Sequence, residues 1–274
     1  MKVIYPLMLS ALPVMAAFEF SMYDANLSAL SGSVAASDQI YSAYLLNPAV
    51  TAALDHHHLG IQYCKPYGIS ELNSGSLISN IITPFINAGL AVSTLGNDLY
   101  HENQVVANFS RHLIKHRFFI GVNLRWYSIQ VKNYENLNVL GVDAGIQYKI
   151  CPDLLMGFSL LNLNQPSLNQ NQEELPVVAS LGMQINLTEQ FTSYLSMQKD
   201  AWYAPSVRLG CSFWVNSFLI IQSGINSYPA IPSFGFQLNR SWIAVDYSMK
   251  YHFDLGITHF WGISFSKRAV SYDK

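Results

Sequence analysis

Charge is scarce in this 274-residue chain. Asp, Glu, Lys and Arg make up 12% of it, against 50% hydrophobic and 13% aromatic residues, and that charge content is about half of what an ordinary soluble domain carries. So little charge implies that something other than water covers much of the surface. The formal net charge is -2, the pI is near 6.4, and the fifteen Lys and Arg are scattered. No basic face exists that would neutralise phosphates, which excludes nucleic acid as a partner. Cysteine is nearly as rare. Cys64, Cys151 and Cys211 are odd in number and widely spaced, which excludes a disulfide framework and a zinc site and leaves them as unpaired small hydrophobes.

Signatures of chemistry are missing as well. There is no Gly-x-Ser-x-Gly elbow, and although Asp143, Asp246 and His252 complete a triad on paper, nothing local gives them its geometry. Asp55-His56-His57-His58 has the donor types for zinc or copper. Adjacent residues in an extended chain point to opposite sides, however, so the run reads as a polar junction at a rim rather than a chelate. No catalytic residue, metal or cofactor is expected, and the chain does not read as an enzyme.

Long apolar runs are confined to the amino terminus. Lys2 precedes an apolar stretch from Val3 to Ala17 that ends in Val14-Met15-Ala16, the pattern of a secretory signal cut after Ala16 or Ala17. Pro6, Ser10 and Pro13 interrupt it, and it falls short of the roughly twenty residues a membrane anchor needs. Beyond residue 17 no run approaches eighteen apolar residues, so membrane-spanning helices are excluded. Two exported β architectures remain, a closed transmembrane barrel and a secreted sandwich.

What the chain has in abundance is period-two alternation, which puts one set of side chains on lipid and the other in a lumen. Leu140, Val142, Ala144, Ile146, Tyr148 and Ile150 alternate with Gly141, Asp143, Gly145, Gln147 and Lys149. Ile120, Val122, Leu124 and Trp126 alternate with Gly121, Asn123, Arg125 and Tyr127. The same holds from Val177 to Asn186, from Val207 to Val215 and from Ile243 to Phe253, and a last strand carries Ile257, Trp261, Ile263 and Phe265 with His259 breaking its apolar row. Turn signals separate these runs at Cys151-Pro152-Asp153, Asn186 to Gln190, Tyr203-Ala204-Pro205, Asn226 to Pro232 and Asn239-Arg240-Ser241. Counted from His58 to Phe265 this predicts about fourteen antiparallel strands. A sandwich would turn its large apolar residues inward, whereas here the polar face is rich in Gly, Ser and Asn and suits a narrow, mostly polar lumen. Trp126, Trp202, Trp242 and Trp261 fall toward strand ends, where amphipathic rings sit at headgroup level. Arg125, Asp143, Lys149, Arg208, Asp246 and Lys250 are the expected lumen charges, paired in polar networks. Arg125 and Asp143 are expected to lie diagonally opposed on neighbouring strands.

Before the barrel the pattern changes. Residues 18–57 are rich in small side chains, with a short helix expected over Ser37 to Leu46 that Pro48 would stop. Here the run Ala29-Leu30-Ser31-Gly32-Ser33-Val34-Ala35-Ala36 and the motif Asn47-Pro48-Ala49 resemble the opening of the PorV/PorQ proteins and their relatives in the FadL superfamily. The order of later segments agrees, from Val142 to Tyr148, through Leu160-Leu161-Asn162-Leu163 and Leu175-Pro176, to Leu255-Gly256-Ile257-Thr258-His259. The chain is shorter than typical members, and nine residues follow Phe265. The resemblance implies an all-β outer-membrane barrel of about fourteen strands with an amino-terminal hatch folded into the lumen. It divides the chain into a signal peptide over 1–17, the hatch over 18–57, the barrel over 58–265 and a tail over 266–274. PorV/PorQ-type members imply a role accessory to type IX protein secretion, with secretion-system proteins as partners. FadL-type members imply passage of a small hydrophobic ligand across the outer membrane. Outer-membrane lipid is the expected surrounding in both cases.

Overall fold

In the computed structural model, which describes residue 18 and residues 24–114, 117–134, 136–167, 174–201 and 203–268, the alternating runs close into one cylinder. The expected signal segment, Trp202 and the last residues of the expected tail lie outside the described residues. Fourteen strands run in chain order: β1 His56–Lys65, β2 Asn73–Ile81, β3 Asn87–Gly96, β4 Tyr100–Ile114, β5 Phe118–Val131, β6 Leu137–Cys151, β7 Leu154–Leu161, β8 Val178–Asn186, β9 Phe191–Asp200, β10 Ser206–Trp214, β11 Leu219–Ser227, β12 Ala230–Arg240, β13 Ile243–His252 and β14 Gly256–Arg268. Each pairs antiparallel with its sequence neighbours, and β14 pairs with β1. Closure satisfies every ladder and leaves no edge, the condition for a sheet to survive in lipid.

The side chains sort as the alternation requires. On β6, Leu140 and Ile146 are exposed while Asp143 and Gln147 are fully buried. Outward residues line up across strands: Ile61, Leu77, Val92, Val105, Trp126 and Leu140 form one continuous cross-strand row from β1 to β6. An apolar exterior around a polar interior is the reverse of a soluble sandwich, and it decides between the two architectures. Among the described residues no helix is long and apolar enough to cross a membrane.

Several expectations need correction. The barrel starts at His56 and ends at Arg268 rather than at 58 and 265, because His56 and His57 already pair with Arg268 and Lys267. The three histidines are therefore the first residues of β1 and not a junction outside it, and His58 is buried with its ring stacked on Tyr41 at 4.4 Å. The expected turn at Asn226 to Pro232 shrinks to 228–229, since β11 and β12 pair up to Ser227 and Ala230. No helix spans Ser37 to Leu46. A 3-10 turn covers only Tyr41–Leu45, and an α-helix, α1, forms earlier at Ala25–Ala29. The Ser37 hydroxyl takes the N–H groups of Gln39 and Ile40, while side chains of the barrel wall take those of Ser37 and Asp38. Those bonds tie the chain at Ser37 and Asp38 to the wall, and helical turns begin only at Tyr41. Pro48 does not stop a helix but opens one, at the first position of a 3-10 turn over Pro48–Ala53, where its missing N–H is harmless.

The lipid face carries a testable consequence. Ile146, mid-strand and 42% exposed, changed to Arg should destabilise the barrel in lipid vesicles by about 2–4 kcal/mol, the cost of a midplane arginine. Val142→Arg should cost less. Beyond Leu161 the wall next to β6 is a loop, in which Leu163 N–H donates to Val142 O and Asn164 Oδ1 accepts from Val142 N–H, so polar atoms already lie beside that position. Denaturant titrations of the two variants, read as folded barrel on a gel, compare them directly. Equal losses would mean that the environment of Val142 is misassigned.

Candidate functional site in the barrel lumen

The polypeptide between residues 24 and 55 lies against the inward-facing side chains of the barrel and is almost wholly buried. It opens on Asp24, whose carboxylate caps α1 by accepting from Leu27 N–H at 2.6 Å, the expected use of Asp before a short helix. Burial pushes this carboxyl above its ordinary range, against the hydrogen bond from Leu27 N–H. Ser31 and Gly32 then take left-handed backbone angles and end the helix. Asn47 is extended (φ -143°, ψ 109°), as a residue before proline should be.

The segment forms no β-ladder with the wall; side chains hold it instead. Among the described residues seven of its carbonyls are capped from the wall, Ala29 O by Ser233 at 2.7 Å and six more from Tyr41 to Thr51. Tyr41 O accepts from Asn80 at 2.8 Å, Tyr44 O from Asn123 at 3.0 Å, Leu45 O from Arg125, Leu46 O from Ser159 at 2.7 Å, Pro48 O from Asn108 at 2.9 Å and Thr51 O from Asn87 at 2.9 Å. In the other direction Gln147 Oε1 accepts from Ser37 N–H at 2.7 Å and Gln184 Oε1 from Asp38 N–H at 3.1 Å. A non-helical chain packed away from water needs partners for these groups, and inward amides of neighbouring strands supply them.

At the centre of this arrangement Arg125 and Asp143 form an ion pair, with side chains 6% and 0% exposed. They sit on adjacent strands, diagonally offset: Asn123 is opposite Asp143, and Arg125 is opposite Gly141. Asp143 also accepts from Asn123 at 3.0 Å and from Asn162 N–H at 2.9 Å, while Arg125 spends its remaining contact on Leu45 O. The pair is therefore tied to the wall on one side and to the luminal segment on the other.

The other expected lumen charges do not join it. Lys149 meets Asp38 at 3.1 Å, and Gln184 donates to the other oxygen of the same carboxylate at 2.6 Å. Asp246 accepts from Gln237 at 2.7 Å and Ser264 at 3.2 Å. Lys250 lies 5.7 Å above the Phe260 ring, and Arg208 Nε is buried without a hydrogen-bond partner among the described residues. Of the Asn47-Pro48-Ala49 motif, Asn47 Nδ2 donates to Ala35 O and to Ile146 O on the wall, and its Oδ1 accepts from Ala49 N–H. Pro48 O takes Asn108, and Ala49 packs with Ala36 against Phe119 and Leu155.

Two features escape the sequence reading. One is a belt of inward glycines where the segment touches the wall. A methyl group at Gly121 would sit 2.2 Å from Pro48 O, at Gly145 2.1 Å from Asn47 Oδ1, at Gly157 2.4 Å from Ala35 O and at Gly224 2.6 Å from Leu30 C. Only hydrogen fits there. The signal was present as glycine recurring mid-strand on the polar face of successive strands. The other is an apolar strip on the wall: Ile78, Ala91 and Val106 stand in one cross-strand row on β2, β3 and β4 and join Tyr44, Leu45 and Val50 of the segment in a buried cluster. The strip is a short apolar patch on β2–β4, set among the polar side chains Asn80, Asn87 and Asn108.

No protein-family profile matches the sequence, and no curated protein matches it at a significant level. Solved structures do. A mutant of the TodX monoaromatic hydrocarbon channel superposes with a TM-score of 0.72 at 11% identity, covering 92% of this chain and 100% of that one. The chain has the same barrel fold. The toluene transporter TbuX of Ralstonia pickettii gives a TM-score of 0.67 at 11% identity with the same coverage. A FadL homologue of Pseudomonas aeruginosa gives 0.59 at 12%, covering 90% of this chain and 96% of that one. The first of these is described as a channel and the second as a transporter.

Proposed function

We propose that this protein is an outer-membrane passage for small hydrophobic molecules and that the segment over residues 24–54 is the hatch that closes it. The observation that carries the proposal is how the segment is held. It fills the lumen through hydrogen bonds and an apolar patch, without a single ladder to the wall, so it can leave while all fourteen strands stay paired. What its departure uncovers is the Ile78, Ala91 and Val106 strip, an apolar surface beside a polar one. The likeness to the TodX, TbuX and FadL-homologue barrels supports the same reading. The alternative drawn from the PorV/PorQ resemblance, an accessory of type IX secretion, calls for surface that a protein partner can grip. Of the connections at the rim where β1 ends, 97–99, 228–229 and 253–255 offer little, and the long one is 162–177; the filled lumen favours passage.

Uptake is the test. Cells expressing the protein should accumulate radiolabelled toluene faster than cells carrying an empty vector, and proteoliposomes should take it up faster than protein-free vesicles. Equal rates in both assays, with folded barrel present, would overturn the proposal.

A further inference from the structure

Glu102 is out of place in the lumen. It faces inward two residues into β4, is 6% exposed, and its cross-strand neighbours are Leu95 and Ile129, both apolar and buried. Its Oε1 accepts from the Tyr100 hydroxyl at 2.7 Å. Among the described residues no Lys, Arg or His forms a salt bridge with it. A carboxylate withdrawn from water normally has a cation beside it.

The other oxygen supplies the answer. Oε2 accepts from the backbone nitrogen of Phe18 at 2.8 Å, and the Phe18 ring rests on Tyr127 with centroids 4.7 Å apart. In the uncut chain that nitrogen is a peptide N–H and carries no charge. Residues 14–17, Val-Met-Ala-Ala, allow a signal-peptidase cut after Ala16 or after Ala17, and the contact of the Phe18 nitrogen with Glu102 is what selects the second. Hydrolysis of the Ala17–Phe18 amide breaks the C–N bond. Water's hydroxyl goes to Ala17, which leaves as a carboxylate, and the nitrogen of Phe18 becomes an α-ammonium.

We propose that the bond cut is Ala17–Phe18 and that Glu102 is the luminal receptor for the amino terminus so created, so that processing itself completes an ion pair inside the barrel. A cut after Ala16 would put the ammonium one residue, about 3.8 Å, further along the chain and leave Glu102 with a neutral donor. The site also gives the segment a second anchor. Glu102 lies near the rim at which β4 starts, while Leu54 leads into β1 at the opposite rim, so the two attachments span the height of the barrel.

The experiment uses mature protein extracted from membranes in detergent. Intact mass and amino-terminal sequencing should return Phe18. An acetylating N-hydroxysuccinimide ester at neutral pH, with exposed Lys132 and Lys267 as internal references, then reports the reactivity of the α-amine by peptide mass spectrometry. In the wild type it should react at least about tenfold more slowly than in Glu102→Gln, as expected when a carboxylate holds the amine protonated by one pH unit more. Should Glu102→Gln fail to fold, the pH dependence of acetylation in the wild type alone decides. The α-amine should titrate above the ordinary range of roughly 7.7–8.0. A terminus other than Phe18, equal reactivity in the two proteins, or an α-amine titrating in or below that range would overturn the proposal.

Discussion

Deleting residues 18–46 should leave a barrel that still inserts into membranes but conducts ions several-fold more readily than the intact protein in planar bilayers. The strands lose no pairing partner, because the deleted stretch contributes none to the ladders. It does remove α1 and the Tyr41–Leu45 turn, and with them Leu27, Leu30, Val34, Ile40 and Tyr44, which form most of the apolar filling of the lumen. Asn47 to Leu54 stay on the wall, held by Asn108 and Asn87. Amides that capped the lost carbonyls, Asn80 and Asn123 among them, then face water, which replaces their partners at little cost. A deletion protein that shows the gel mobility of a folded barrel yet conducts no better than the intact one would show that the segment does not close the passage.

How far the sequence reveals this arrangement depends on the kind of interaction. Strand identity and facing were legible from β5, β6 and β13 because lipid on one side and packed chain on the other impose opposite chemistries at alternate residues. The pairing of Arg125 with Asp143 was legible for the same reason, since two inward charges on adjacent strands have few other partners. The conformation of residues 37–46 was not. There Gln147 and Gln184, more than a hundred residues away, tie Ser37 and Asp38 to the wall, and helical turns begin only at Tyr41. The asparagines that cap the segment were invisible individually, because an inward Asn on a barrel strand reads only as a polar lumen residue until the chain it holds is in place. The glycine belt was noted only as a preference for small residues. Its meaning comes from backbone lying within van der Waals reach of the wall at Gly121, Gly157 and Gly224.

Asp143→Ala should destabilise the intact barrel by about 3–5 kcal/mol, the usual loss when one partner of a buried ion pair is removed and the other stays buried. Arg125 would retain Leu45 O alone, an acceptor without charge. Replacing both partners, as Arg125→Met with Asp143→Asn, should cost less than Asp143→Ala, because no unpaired charge remains in the lumen. Denaturant unfolding in lipid vesicles measures all three. The decisive comparison places Asp143→Ala in the protein lacking residues 18–46. If the segment is what keeps water from Arg125, the same substitution there should cost no more than about 1 kcal/mol, the range of an exposed pair. An undiminished loss would mean that the wall itself, through Asn123 and the chain at Asn162, keeps the pair dry, and that the ion pair holds β5 to β6 rather than the hatch to the barrel.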